Sequence, residues 1–338
     1  MKRARVAVNG FGRIGRLALR AGLGRQDMEF AAINDLYDPD LLVYLFRHDS
    51  VHGRFAGEAR LEKRDGASLS AGGQTIPFLN RKDPASLPWK DLGVDVVLEC
   101  SGAFRSRAAA GKHLEAGARK VVISAPSDDA DVTVVMGVNA GQYDPSRHHV
   151  LSNASCTTNA LAPVAMVLDR VLGIERGFAL TVHAYTSSQA LVDLPQRKRR
   201  RSRAAALNLA PTSTGAAAAV GRVLPGLAGR LDGLAVRSPN ADGSLLDLTA
   251  LVKRRTVPAE VNHLLKTAAE GELKGILRFA EEDGLVSSDI IGDPHSCIVD
   301  GPLTMAGETM VKVMAWYDNE HGYACRLLDA AALAVSEG

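Results

Sequence analysis

The 338-residue sequence has no apolar run near the roughly 20 residues that a bilayer-spanning helix needs, so no membrane span is expected. Cysteine is scarce. Cys100, Cys156, Cys297 and Cys325 form no CxxC pair and are too few for a disulfide framework; no metal site is expected either. A surplus of one charge sign is also missing. With 40 Lys+Arg against 38 Asp+Glu, the net charge of +2 exerts no overall pull toward nucleic acid. The basic start Met1-Lys2-Arg3-Ala4-Arg5 is not followed by a long apolar stretch and cleavage site before Asn9-Gly10, so no signal peptide is expected. Internal repeats and long low-complexity segments are absent. What is present is 46% hydrophobic residues, enough for a packed interior and incompatible with global disorder. The length exceeds one typical core, which makes two domains the expectation for a reduced, cytoplasmic, globular protein.

The first 125 residues alternate short apolar runs with helical stretches. Strands are expected at Arg5–Asn9, Phe30–Asn34, Val94–Cys100 and Lys120–Ser124. Helices are expected at 13–25, where Ile14, Leu17, Ala18 and Ala21 share a face, and at Ala108–Ala118. Continuous apolar strands between helices indicate a parallel sheet covered on both faces. Asp65–Gln74 reads as a turn between strands. The second half differs. A helix from Thr157 to Leu172 carries Leu161, Val164, Leu168, Val171 and Leu172 on one face. Longer strands follow at Gly177–His183, Gly233–Arg237, Leu245–Val252 and Met310–Trp316, with helices at Pro258–Glu270 and Gly322–Ser336. The fold class expected is α/β: an N-terminal Rossmann-type parallel-sheet domain plus an α+β domain with a largely antiparallel sheet.

Gly10-x-Gly12-x-x-Gly15 stands immediately after a strand and at the start of a helix. Gly10 permits a tight turn, Gly12 lets backbone approach a pyrophosphate, and Gly15 lets helix and strand pack closely. The helix N-terminus offers N–H groups and partial positive charge to phosphates. The second strand ends at Asp35, 20 residues past Gly15, where a ribose-binding acid belongs. A glycine turn and a surface aspartate would look the same singly; strand, glycines, helix and acid together point to a dinucleotide. A carboxylate accepts hydrogen bonds from a 2′-hydroxyl and repels a 2′-phosphate, and no Arg or Lys follows in Leu36-Tyr37-Asp38. Both favour NAD.

Cys156, in SNASCTTN, begins the helix that runs to Leu172, where the positive end of the dipole favours thiolate. His183, in TVHAYT, ends a strand 27 residues on and is a candidate acid/base partner. Taken singly, a cysteine is as readily a small buried hydrophobe and a histidine a satisfied core residue. Cys100, Cys297 and Cys325 lack such a setting and read as packing residues. If Cys156 and a nicotinamide share a cleft, thiolate attack on an aldehyde gives a thiohemiacetal, loss of hydride leaves a thioester, and water or phosphate resolves it. His183 would move the protons.

NGFGRIGR, HDSVHGRF, ISAPS, SNASCTTN, TVHAYT, RAAALNLAPTSTGAA and WYDNEHGY together resemble phosphorylating glyceraldehyde-3-phosphate dehydrogenases of bacterial type, nearly end to end. The resemblance implies domains at 1–155 for the dinucleotide and 156–320 for catalysis, with 321–338 a helix returning to the cofactor domain. It implies Cys156 as nucleophile and His183 as its partner. Cofactor contacts would come from Asn9, Gly10, Gly12, Arg13, Ile14, Gly15, Asp35, Ser124 and Asn319. Inorganic phosphate would meet Ser155, Thr157, Thr214 and Gly215, and substrate phosphate Thr186, Arg201 and Arg237. It implies a homotetramer, whose interface loop would hold the basic run Gln196–Arg203; Leu194-Pro195 resembles the NAD-preferring form of that loop.

The sequence departs from the family at Ser188, where an aspartate is common, and at Lys198, Ala218 and His321. Asp242, in SPNADGS, introduces an acid expected either to repel the substrate phosphate, or to face solvent or pair with the basic loop. Two other readings remain open at this point. One is a dehydrogenase of a longer phosphosugar aldehyde such as erythrose 4-phosphate. The other is a paralogue kept for redox sensing through Cys156, with the basic loop contacting RNA.

Overall fold

The computed structural model describes residues 3–63 and 66–336, so Met1, Lys2 and Asp65 of the expectations above lie outside the described residues. The chain divides into two compact units. One comprises residues up to Ala154 and from Ala324 on; the other is Ser155–Tyr323.

The first unit holds a nine-stranded sheet in the order Val132–Thr133, Val150–Ser152, Lys120–Ile123, Val96–Glu99, Ala4–Asn9, Met28–Asn34, Gln74–Leu79, Ser68–Ala71, Ala59–Glu62. The first seven strands in that order pair in parallel, and the last two join antiparallel. Alternation across Ala4–Asn9 explains why the strand is apolar throughout: Val6 and Val8 enter one core and Ala7 the other. Helix α1 (Arg13–Gly22) follows the central strand. It stops three residues earlier than the periodicity suggests, because Gly22 and Gly24 are poor helix formers and Gly22 is pressed against Phe30, whose Cζ would stand 2.5 Å from an added Cβ. Helices α2 (Pro39–Arg47) and α3 (Arg107–Glu115) start on the side-chain caps of Asp38 and Ser106. The segment read as a turn from 65 to 74 contains the strand Ser68–Ala71. Leu69 and Ala71 point inward, and the hairpin turns on Gly72-Gly73 with φ of 56° and 75°, the pair of positive values a type I′ turn requires.

In the second unit the sheet runs Ala210–Ser213, Leu231–Ser238, Ile174–Ala184, Ser244–Val252, Met310–Tyr317, Cys297–Asp300, Leu277–Ala280, with Met305–Gly307 added beside Met310–Tyr317. Five of its seven pairings are antiparallel; Ile174–Ala184 with Leu231–Ser238, and Leu277–Ala280 with Cys297–Asp300, are parallel. Helix α4 (Cys156–Leu172) packs on four of these strands and against helices α5 (Ala216–Val223) and α6 (Pro258–Glu270). Of the apolar face expected on α4, Leu161, Val164, Leu168 and Leu172 are buried but Val171 is exposed. The helix is buried on most sides over its first three turns, so periodicity marks its packing poorly near the end. Helix α7 (His321–Val335) ends the described chain and sends Ala324, Leu327, Leu328 and Ala331 into the first unit's core.

Candidate active site

Helix α4 begins at a strained junction. Ala154 sits at φ 53°, a left-handed conformation that costs a non-glycine residue about 1–2 kcal/mol. Ser155 then caps the helix, its Oγ accepting from the Thr158 N–H at 3.1 Å. Cys156 follows, with Thr157 at its side. Thr157 turns its hydroxyl to Tyr317 Oη at 2.9 Å, and Tyr317 also meets Thr181 Oγ1 at 2.7 Å. The Thr157 hydroxyl is therefore engaged in the wall of the site, and Tyr317 is a member that motif reading did not single out. Its ring stands edge-on to His183, centroids 6.0 Å apart.

The strand Ile174–Ala184 delivers His183, and its parallel neighbour delivers Arg237 in register with it. Side chains on adjacent parallel strands in register share a face, so residues 54 apart in sequence become contacts. Cys156 Sγ lies 3.5 Å from His183 Nε2. On the other side of the ring, Nδ1 lies 2.7 Å from the Ala184 carbonyl, which can only accept, so Nδ1 carries the proton. The Arg237 Nη1 stands 3.0 Å from Nδ1 and donates to the same carbonyl at 2.8 Å. The lone pair of the neutral imidazole is thereby left at Nε2, facing the sulfur. Burial, then Arg237, hold the imidazole down at about 3, the Ala184 carbonyl opposing and Arg201 adding to the depression.

The thiol differs from the expectation of a ready thiolate. Cys156 keeps part of its surface open, yet its sulfur is desolvated, and that burial pushes the thiol up despite Arg237 and the Thr157 hydroxyl and N–H. The helix start does not outweigh desolvation. Both shifts favour the uncharged forms, thiol and neutral imidazole, in the free protein.

Arg237 makes no ion pair among the described residues, and its buried Nε has no hydrogen-bond partner. Thr186 Oγ1 lies 3.5 Å from Nη1. Ser188 bridges Thr186 at 2.8 Å and Arg201 at 3.2 Å. Arg201 also reaches Thr212 at 3.3 Å and has no carboxylate partner among the described residues. Two guanidiniums without carboxylates, with hydroxyls between them, make an anion site. Thr214 Oγ1 accepts from the Ala216 N–H at 3.2 Å, and Gly215 is the residue before α5. Lys198 is tied to Ser213 at 2.6 Å, and Arg203 pairs with Asp193 at 2.8 Å, so part of the basic run is engaged locally. Ala218 is exposed on α5.

Asp242 does not face solvent. It is 2% exposed, and its Oδ1 accepts from the N–H groups of Gly243 at 2.8 Å and Asn319 at 3.2 Å. The tight turn at Gly243 draws the carboxylate inward. Asn319 is held a second time, its Oδ1 accepting from Ser244 Oγ at 2.5 Å.

In the first unit, Gly10 has φ 94°, and an added Cβ would stand 2.4 Å from the Ser101 nitrogen; at Gly15 it would stand 2.2 Å from the Gly10 oxygen. At Gly12, the N-terminal cap of α1, it would meet nothing within 4 Å. Close packing thus requires two of the glycines, while the third fronts open space, the arrangement a pyrophosphate needs. Asp35 stands just past the strand. Its carboxylate accepts from Phe11 N–H at 2.7 Å and Tyr37 N–H at 3.0 Å, and each oxygen keeps a further lone pair for a ribose hydroxyl. Arg13 pairs with Asp49 at 2.5 Å, and Ile14 packs its side chain toward the core, so these two present backbone to the loop. The Asn9 side chain is internal, donating to Glu99 at 2.5 Å and accepting from Asn34 at 2.7 Å. Ser124 donates its N–H to the Glu99 carbonyl, at the end of the strands. Glu99 was not legible as a site residue. Buried, it accepts from Asn9, from Ser101 and from His113 Nε2 at 3.0 Å, while Trp89 donates to His113 Nδ1 at 2.9 Å. That network fixes both chain segments that meet at Gly10.

Two family models match the chain: the NAD binding domain of glyceraldehyde 3-phosphate dehydrogenase over residues 4–107, and its C-terminal domain over 155–319. The chain is 51% identical to glyceraldehyde-3-phosphate dehydrogenase 1 of Bacillus subtilis and 50% to the Geobacillus stearothermophilus enzyme, each over 99% of both chains. It is 49% identical to glyceraldehyde-3-phosphate dehydrogenase 2 of Streptomyces arenae over 98% of both. The chain belongs to the glyceraldehyde-3-phosphate dehydrogenase family. Its cofactor is NAD, in keeping with the glycine loop and Asp35.

Proposed function

We propose that the chain oxidises glyceraldehyde 3-phosphate with NAD and inorganic phosphate to 1,3-bisphosphoglycerate. The observation that carries this reading is Cys156 Sγ at 3.5 Å from the Nε2 lone pair of His183, beside two arginines that no carboxylate neutralises. The unit reaching to Ala154 serves as cofactor domain and Ser155–Tyr323 as catalytic domain.

Gly10, Gly12, Gly15, Asp35 and Ser124 would hold the dinucleotide, and the side-chain amide of Asn319 would bind the nicotinamide carboxamide. Bound NAD supplies a two-electron oxidant that accepts hydride. Cys156 attacks the aldehyde carbon as His183 Nε2 takes the thiol proton, which then passes to the alkoxide to give a thiohemiacetal. As hydride leaves that carbon, His183 takes the hydroxyl proton and a thioester on Cys156 remains. A phosphate oxygen, guided by Ser155, the Thr157 N–H, Thr214 and Gly215, attacks the thioester, and Cys156 departs. Thr186, Arg201 and Arg237 hold the substrate's phosphate.

The sheet of the catalytic unit supports a homotetramer. One face is buried under helices; the other presents Phe178 at 73% exposure, Leu234 and Leu251, and the segment before and after the basic run exposes Leu191, Val192, Leu194, Leu207 and Leu209. An apolar open face of this extent suits a second copy. No helix among the described residues is long and apolar enough to cross a membrane, and a cytoplasmic location suits four free cysteines. The test is NADH formation from glyceraldehyde 3-phosphate and from erythrose 4-phosphate, with NAD and NADP, each with and without phosphate. Preference for erythrose 4-phosphate, or no NADH from either, would overturn the reading.

A further inference from the structure

We propose that the phosphate carried by the substrate, docked between Arg237 and Arg201, turns His183 from a weak proton acceptor into an effective one, so that it raises the rate of oxidation as well as holding the substrate. This rests on the roles given to Cys156 and His183 above.

The groups facing His183 come from four elements. Cys156 comes from α4, Tyr317 from Met310–Tyr317, Arg237 from the parallel neighbour strand, and Arg201 from the segment before Ala210–Ser213. Two are cations and none is a carboxylate. Asp242 acts on Cys156 but is not among the charges that act on the ring, and its Oδ1 accepts from the Gly243 and Asn319 N–H groups. Arg237 is in direct contact: its Nη1 and the ring Nδ1–H converge on one carbonyl, Ala184, 3.0 Å from each other. Protonating the ring there sets an imidazolium against a guanidinium, with the second arginine behind it. Burial lowers the ring most, and Arg237 and Arg201 lower it further until an anion offsets their charge.

The reaction needs that imidazolium. When the thiohemiacetal is oxidised, its C–H bond breaks with the electron pair leaving as hydride to NAD. Its O–H bond breaks with the proton going to His183 Nε2, and the carbon–oxygen double bond of the thioester forms. A phosphate dianion on Arg237 and Arg201 offsets their two positive charges just where the imidazolium develops. The interaction is worth more in the transition state than in the bound ground state, so it enters kcat. Ser188 sharpens the dependence. An aspartate there would supply permanent negative charge between Thr186 and Arg201, whereas a hydroxyl leaves the neutralisation to the substrate.

The experiment is single-turnover NADH formation by the full-length protein loaded with NAD, at saturating glyceraldehyde 3-phosphate or glyceraldehyde, with and without phosphite dianion. Single turnover removes any role of the added anion as acyl acceptor. The saturated rate with glyceraldehyde should be lower by about 10²-fold, within the usual range for acid/base catalysis. Phosphite should restore at least about tenfold of it while leaving the Kd for NAD, read by fluorescence titration, unchanged. The acid limb of the pH–rate profile should lie at lower pH with glyceraldehyde alone and move up with phosphite, because protonation of the ring is what silences it. In Arg237→Gln the gap between the aldehydes should narrow and phosphite activation should vanish; a purely structural role would lower both aldehydes alike and leave the gap. Equal saturated rates with a difference only in KM, no response to phosphite, or a uniform loss in Arg237→Gln would overturn the proposal. No NADH from glyceraldehyde 3-phosphate itself would overturn the underlying reading as well.

Discussion

Replacing Gly12 by alanine separates what the fold needs from what the cofactor needs. Gly12 sits at φ −71°, ψ −158°, which alanine adopts without strain, and its new Cβ would meet nothing within 4 Å. Alanine is a poorer helix cap than glycine by several tenths of a kcal/mol, while loss of glycine's freedom in the unfolded chain returns about 0.4–1 kcal/mol. The two offset, so the urea midpoint of the cofactor-free protein should move by less than about 1 kcal/mol equivalent. The methyl group would, however, occupy the space through which backbone meets a pyrophosphate, and NAD affinity should fall at least about tenfold, ~1.4 kcal/mol. Gly10→Ala behaves oppositely in the fold. Its φ of 94° and backbone atoms at 2.4–2.7 Å from the new Cβ force the Cys100–Ser101 segment to shift, so stability should fall by more than about 2 kcal/mol and NAD binding with it. The assays are urea denaturation followed by circular dichroism, and fluorescence titration with NAD. If Gly12→Ala bound NAD like the native chain, or unfolded as readily as Gly10→Ala, the glycine loop would not be the phosphate cradle.

Cys156→Ser should abolish turnover while NAD binds with unchanged Kd; near-native NADH formation would remove Cys156 from the chemistry. For His183→Asn, the single-turnover rate should drop by roughly 10²–10⁴-fold, and an unchanged rate would mean the ring at 3.5 Å from the sulfur is a bystander. Asp35→Ala should narrow the NAD-over-NADP ratio of kcat/KM, since the carboxylate that repels a 2′-phosphate is gone; a ratio that stays put contradicts its role. On the acid side of the stability profile, Asp49 matters. Burial would raise its carboxyl, but the N–H groups of His52 and Val51, and Arg13, hold it at about 2. A lowered acid contributes stability above its unfolded value of 3.8 that is lost as pH falls toward 2, so Asp49→Asn should flatten unfolding against pH in that window. An unaltered slope there would show that Asp49 contributes no linkage.

The sequence by itself determined what rests on neighbours in the chain. Strand, glycines and helix were legible from Arg5 to Gly22 because a tight turn admits few residue types. The alternation in Leu245–Val252 and Met310–Trp316 marked a sheet with one covered face, and a hydroxyl-flanked cysteine marked the start of α4. Tertiary structure decided what depends on register and depth. His183 meets Arg237 because two strands more than fifty residues apart pair in parallel, and neither strand's pattern names its partner. Burial, with that pairing adding to it, lowers the imidazole, and burial raises the Cys156 thiol against the pull of its helix position. Asp242, read from the sequence as an acid near the phosphate or in solvent, is turned inward by Gly243 to hold Asn319. Charge signs are written along the chain, but the dielectric around a group and the charges that face it are set only when distant strands close on one another.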